Sequence, residues 1–418
     1  MIFHSHMGTM KFHHLLFFLL LLSSLHAGAS ERPSSNPILV GADVFLRGKL
    51  PLLEGKRVGV VTNHTALCAS GEHLVSALLR KGVNVVRLFG PEHGIRGAAG
   101  PGENITDTLD LTTRIPVVSL YGSTNKPTRA MLQDIDLLLY DIQDVGARFY
   151  TYVSTMVLCM EAAAEARIPF VVLDRPNPLG GLLIDGPVLE DSLRSFVGIV
   201  PVPVVYGLTP GELALFVNGE GLLKGKVQAD LTVITMEGWN RSMTWEESGI
   251  RWIPPSPNIP DPETAIVYPA TCILEATNLS EGRGTTKPFK IFGSPFVDGE
   301  RLASGLNARN IPGVTFGAVR FRPLSSKHSG KECGGVEMVV TGRELFRPVR
   351  TGLQILREVQ RLFPEDFTLD RKWFLKLIGS APVFDGLRSG KSLESIESAW
   401  SAKTSEFKTK SRKYLMYP

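Results

Sequence analysis

Val85-Val-Arg-Leu-Phe-Gly-Pro-Glu-His-Gly-Ile-Arg-Gly97 is an apolar run that stops on Gly90 and Pro91 and opens into a glycine-rich loop. The run reads as a buried strand. Its exit delivers Glu92, His93 and Arg96 together. Packing has no use for a carboxylate, an imidazole and a guanidinium at a strand end. Chemistry does, because open α/β sheets bind ligands at the carboxyl ends of their strands.

The flanking sequence repeats the pattern. Arg57-Val-Gly-Val-Val61 is a strand that closes on Thr62-Asn-His-Thr65, and Leu74, Ala77 and Leu78 then fall at helical spacing before Gly82 stops the helix. Ile115–Tyr121 is a further short strand, and Thr128 to Gln133 a helix. Leu137-Leu-Leu-Tyr-Asp141 does not alternate, so it is expected to be buried on both faces. It opens into Ile142–Arg148, and a helix is predicted from about Tyr150 to Ala166. Phe170–Asp174 is the next buried strand, exiting into Arg175-Pro-Asn-Pro-Leu-Gly-Gly181. Strands alternating with helices imply βαβ units and a mainly parallel sheet. The strand exits then share one edge, where Asn63, His64, Glu92, His93, Asp141, Asp144, Asp174 and Arg175 are expected to converge. A single Asp after a strand is often only a helix cap.

Thr209-Pro-Gly-Glu212 is a capping box, which assigns Glu212 to capping. Leu231–Met236 is a last strand. Trp239, Trp245 and Trp252 lead to the proline-rich Pro254-Pro-Ser-Pro-Asn-Ile-Pro260, which marks the end of the first domain. Beyond it the texture changes. Strands are expected at Val314–Phe316 and Val336–Val340, and helices around Leu353–Val359 and Trp373–Ile378. The fold class is α/β: a mainly parallel sheet domain at 38–265, a smaller α+β domain at 266–418, and a cleft between them.

The 418 residues are 43% hydrophobic and 21% charged, ordinary for a globular chain, with a formal charge of +4. No basic stripe interleaves with aromatics, so no nucleic-acid partner is expected. Residues 1–29 read as a signal peptide. Lys11 precedes an apolar run, Leu15–Leu22, and Ala27-Gly-Ala29 fits a cleavage site. The run is short for a bilayer span. The mature chain is expected to be periplasmic or extracellular, with no membrane attachment. The four cysteines, Cys68, Cys159, Cys272 and Cys333, form no C-x-x-C pair, and Cys159 suits a core position.

Two further clusters bear chemistry. Asp141-Ile-Gln-Asp144 is followed by Arg148, Phe149, Tyr150 and Tyr152, acids beside aromatic rings that suit a sugar. Glu281-Gly-Arg-Gly284, just past the domain junction, places an acid and Arg283 between glycines. His64, His93 and the strand-end aspartates allow a metal site only by convergence, without H-x-H or H-E-x-x-H spacing. There is no P-loop, no G-x-G-x-x-G after the first strand and no G-x-S-x-G elbow, so no nucleotide cofactor is expected.

Four motifs carry a resemblance: Phe89–Gly97, Tyr140-Asp-Ile-Gln-Asp-Val-Gly-Ala-Arg-Phe-Tyr-Thr-Tyr152, Leu173–Gly181 and Glu275-Ala-Thr-Asn-Leu-Ser-Glu-Gly-Arg-Gly-Thr285. In this order they resemble the exo-β-N-acetylmuramidases of the NamZ type, long catalogued as the domain of unknown function DUF1343. The resemblance runs from about residue 38 to the end of the chain. It implies a Rossmann-like first domain and release of N-acetylmuramic acid from the non-reducing end of peptidoglycan fragments. The partners implied are muropeptides or disaccharides, with no cofactor and no metal. Glu92 is the leading catalytic candidate. Glycoside hydrolysis asks for a second group, here Asp144 or Tyr150. Arg96, Arg148 and Arg283 suit the lactyl carboxylate of muramic acid. His93, Asn63, Asp141, Asp174, Asn258 and Glu281 complete the expected substrate contacts. Two other readings stay open at this point: a metal-dependent amidase acting on the same polymer, and a non-catalytic muropeptide binder.

Overall fold

Seven strands form the larger sheet: β1 (Arg57–Thr62), β2 (Asn84–Gly90), β3 (Thr108–Leu109), β4 (Pro116–Ser119), β5 (Leu137–Asp141), β6 (Phe170–Leu173) and β7 (Leu231–Ile234). Their spatial order is β3-β4-β2-β1-β5-β6-β7, and every pairing except β3–β4 is parallel. A smaller antiparallel sheet holds β8 (Ile291–Ser294), β9 (Val314–Phe321) and β10 (Cys333–Val340) in the order β8-β10-β9. The fold is thus mixed α/β, with a mainly parallel sheet first and a smaller α+β region after it. The computed structural model describes residues 1, 2, 4, 37–97, 99, 100, 102, 103 and 108–418. The apolar run and cleavage site of the expected signal peptide lie outside the described residues. Both sheets belong to one unit, Ile38–Pro418. Among the described residues no helix is long and apolar enough to cross a membrane.

Side chains alternate across a strand, and both faces of this sheet are covered. Leu138 and Tyr140 enter one core cluster with Val61, Phe89 and Phe170, while Leu137 and Leu139 enter another with Val58, Leu88 and Val171. All five residues of β5 are buried. That is why its sequence shows no polar alternation.

The predicted helix after β5 runs Tyr152–Ala166, and Thr209 and Glu212 make the expected capping box at the head of helix Pro210–Gly219. Glu212 also pairs with Arg241 and accepts from the Met416 N–H. Helices Gly41–Gly48, Gly299–Asn307 and Ala381–Arg388, and strands β3 and β8, have no counterpart in the sequence reading. All four cysteines are buried and unpaired.

The end of the chain returns to the first sheet. The Tyr417 hydroxyl donates to Asp174 Oδ2 (2.5 Å), and its ring packs edge-on against Trp239 at 5.0 Å. Tyr417 thereby ties the end of the described chain to Asp174 after β6 and, through Met236 N–H, to the segment after β7.

Candidate active site

Strand order places the switch point at β1, which pairs with β2 on one side and β5 on the other. The chain builds outward from β1 in one direction, then crosses back to start β5. Such a point opens a crevice at the carboxyl edge of the sheet. Glu92 follows β2, and Tyr150 and Thr151 follow β5. They meet over the end of β1: Thr151 Oγ1 donates to Glu92 Oε2 at 2.6 Å, and the Gly102 N–H donates to Glu92 Oε1 at 3.1 Å.

The loop reaches this geometry through left-handed backbone at His93 (φ 69°), Gly94 and Gly97. His93 Nδ1 bonds to the Ala99 carbonyl at 2.7 Å. A Cβ on Gly97 would stand 2.0 Å from the His64 ring, so only glycine lets the ring lie there. His64 Nε2 in turn bonds to the Pro254 carbonyl at 2.7 Å, and burial lowers its pKa.

A pocket opens at Glu92. Its polar lining is Glu92, His93, Tyr150, Thr151, Asn258 and Arg283, with Ser256 beside them. Its apolar wall is Phe149, Ile259, Tyr268 and Phe289. The rings form an edge-to-face chain: Tyr152 to Tyr150 (4.8 Å), Tyr150 to Tyr268 (5.9 Å) and Tyr268 to Phe289 (4.8 Å). Such ring pairs hold their geometry well. Burial pushes the Tyr150 hydroxyl well above its usual range.

Arg283 is held from behind. Its Nη2 donates to Glu275 Oε1 at 2.6 Å, its Nε lies 3.2 Å from Glu281 Oε1, and it sits over the Phe289 ring at 4.9 Å. Burial works against the Arg283 cation, but the two carboxylates outweigh it and raise its pKa. Lys327 lies 3.2 Å from Glu281 Oε2.

The structure thus brings Glu92, His93, Tyr150, Asn258 and Arg283 into one pocket. The other expected contacts go elsewhere. Asp144 is buried outside the pocket lining and accepts from the Gly146 N–H (2.7 Å) and the Tyr206 hydroxyl (3.0 Å). Burial raises its carboxyl to about 6, against those donors. Asp141 is fully buried and forms a two-pronged ion pair with Arg175, which ties the ends of β5 and β6. Asp174 accepts from Thr209, Gly211 and Tyr417. Asn63 folds back on Thr65, accepting its N–H and hydroxyl.

The expected arginines divide in the same way. Arg96 is exposed and donates to Asp110 and to Thr112 Oγ1 (2.8 Å). Arg148 is fully buried and donates to four backbone carbonyls: Pro187, Val202, Leu377 and Ile378. With no carboxylate against it, burial lowers its pKa to about 9. Glu281 is buried behind the wall as a support for Arg283.

Sequence reasoning missed Thr151, Ser256, Tyr121 and the wall of Tyr268 and Phe289. The Tyr121 hydroxyl lies against Glu92, and burial followed by that carboxylate pushes its pKa up to about 12. Tyr121 ends the predicted strand Ile115–Tyr121, but that strand end is not among the exits expected to converge. Among the described residues no group of three or more His, Cys, Asp or Glu side chains is placed to hold a metal ion.

Comparison with known proteins covers most of the chain. The family model "Exo-beta-N-acetylmuramidase NamZ, N-terminal" matches residues 58–263, and its C-terminal counterpart matches residues 266–417. The chain is 43% identical over 407 residues to the peptidoglycan β-N-acetylmuramidase NamZ of Bacillus subtilis (strain 168), covering 96% of this chain and 97% of that protein. Two crystal structures of DUF1343 family proteins from Bacteroides fragilis NCTC 9343 share the fold. One has a TM-score of 0.85 at 39% identity, and the other 0.77 at 34%; each covers 91% of this chain and 99% of its own. The chain belongs to the exo-β-N-acetylmuramidase NamZ family.

Proposed function

We propose that this protein is an exo-acting glycoside hydrolase that releases N-acetylmuramic acid from the non-reducing ends of peptidoglycan fragments. The observation that carries it is a carboxylate, Glu92, held at both oxygens and facing a ring-walled pocket. The chain around it is 43% identical to a peptidoglycan β-N-acetylmuramidase.

In this reading the sugar binds at the mouth of the pocket that Glu92 faces, with the Tyr268 and Phe289 rings packed behind Arg283 as its support. Protonated Glu92 gives its proton to the glycosidic oxygen, the C1–O bond breaks, and the remaining fragment leaves as an alcohol. Water supplies hydroxide to the anomeric carbon and returns a proton to Glu92. Tyr150, which lines the same pocket, is assigned as the second group. Arg283 receives the lactyl carboxylate, and His93, Ser256 and Asn258 bind hydroxyl and acetamido groups. The same proposal puts the mature chain in the periplasm or outside the cell, on the composition of residues 11–29. N-terminal sequencing of the exported protein should then begin at Ser30.

The test is a product assay on the disaccharide N-acetylmuramyl-β-1,4-N-acetylglucosamine and on its peptide-bearing forms, with and without a chelator. Free N-acetylmuramic acid in both arms supports the proposal. Release of peptide alone, or tight binding without product over hours, overturns it.

A further inference from the structure

Thr151 stands at the N-cap of helix Tyr152–Ala166 but does not cap it. Threonine at that position ordinarily lends its side-chain oxygen to a free N–H of the first turn. The other threonines that head α-helices among the described residues do so. Thr128 accepts from Met131 N, Thr209 from Glu212 N and Thr244 from Glu247 N. Those three have extended backbone, with ψ between 162° and 165°. Thr151 has φ −68° and ψ −12°, already helical backbone, and makes no side-chain cap bond. The hydroxyl goes instead to Glu92 Oε2, at 2.6 Å.

The scaffold behind it is rigid. Eleven residues of that helix are buried, and the Tyr152 hydroxyl is tied to the Pro255 carbonyl at 2.6 Å. Thr151 itself is half-buried at the pocket. Glu92, by contrast, rides on a loop with three left-handed residues. Beside the Gly102 N–H and the Tyr121 hydroxyl, the Thr151 hydroxyl is the contact that ties Glu92 to a buried helix.

We propose that Thr151 is a positioning residue of Glu92: its hydroxyl, carried on the first turn of a buried helix, fixes the carboxyl group at the glycosidic oxygen. This rests on the proposed role of Glu92. The valine variant keeps the shape of threonine and removes the hydroxyl; the serine variant keeps the hydroxyl and removes the methyl. On the muramyl disaccharide, Thr151→Val lowers kcat by about ten- to a hundredfold with KM within about twofold, as a small misplacement of a catalytic group does. Thr151→Ser recovers kcat to within about threefold of wild type, since the hydroxyl that aligns the group is kept. Equal kcat in wild type and Thr151→Val overturns the inference, and so does a serine variant as impaired as the valine one. Carboxyl 13C titration of Glu92 in the same three proteins reads the contact without turnover. A displacement in the valine variant alone supports the inference even if the wild type proves inert on the disaccharide, and superimposable titrations overturn it.

Discussion

Arg148 Nη2 donates to the Ile378 carbonyl at 2.7 Å, so a guanidinium beside the pocket caps a helix 230 residues further along the chain. A cation suits the negative end of a helix. Its other donors hold Pro187 and Val202, at 2.8 Å each. The loop that carries Tyr150 and Thr151 is thereby fastened to the second region. Arg148→Met takes the side-chain donor from four buried carbonyls, of which Val202 keeps the Leu189 N–H, and is expected to cost at least about 3 kcal/mol. Arg148→Lys recovers part of the loss. Urea unfolding measures both; a methionine variant within about 1 kcal/mol of wild type contradicts the clamp.

Asp144 gives a pH signature. Burial raises its folded carboxyl to about 6, whereas the unfolded chain titrates near ~4. The folded state holds that proton more tightly. Its contribution to stability is complete below about pH 4 and is lost as pH rises through about 6. Asp144→Asn removes this dependence, so the variant gains on wild type by about 3 kcal/mol between pH 4 and pH 7. Unfolding curves at three pH values test it, and parallel profiles contradict it.

Gly97→Ala forces a side chain into φ 69° and against the His64 ring. The expected loss is about 2 kcal/mol or more, with a fall in kcat/KM as the Glu92 loop shifts. Calorimetry alongside kinetics measures both. An unchanged Tm contradicts the reading of this loop.

Arg283→Met tests recognition of the lactyl group. A charge-assisted bond is worth about 1.5–3 kcal/mol, so kcat/KM for N-acetylmuramides falls about a hundredfold. Turnover of the matching N-acetylglucosaminide, which has no lactyl carboxylate, changes little. Equal losses on both substrates assign Arg283 to supporting the wall alone.

Much of the first sheet was legible because burial writes itself into composition. Leu137–Asp141 fails to alternate since both its faces are covered, and Thr209 with Glu212 announces a helix start in four residues. The pocket was legible only in part. Glu92, His93, Asn258 and Arg283 stood out as polar residues in glycine- or proline-rich loops. Arg148 has the same appearance in sequence, and nothing local says that carbonyls from three distant segments will enclose it. Asp141 and Asp174 were strand-end acids as expected, but their partners, Arg175 and Tyr417, turn them into ties. Thr151 lay unnoticed between two tyrosines, because the predicted helix starts at about Tyr150 and takes it in as an ordinary first-turn residue.

The central claim is that Glu92 protonates the departing sugar. The direct measurement is release of N-acetylmuramic acid from N-acetylmuramyl-β-1,4-N-acetylglucosamine by Glu92→Gln, with circular dichroism confirming the fold. The amide has no proton to give, so release is predicted to fall about a thousandfold. The loss is smaller on a 4-nitrophenyl glycoside, whose leaving group departs without help. Disaccharide release within about tenfold of wild type would contradict the account.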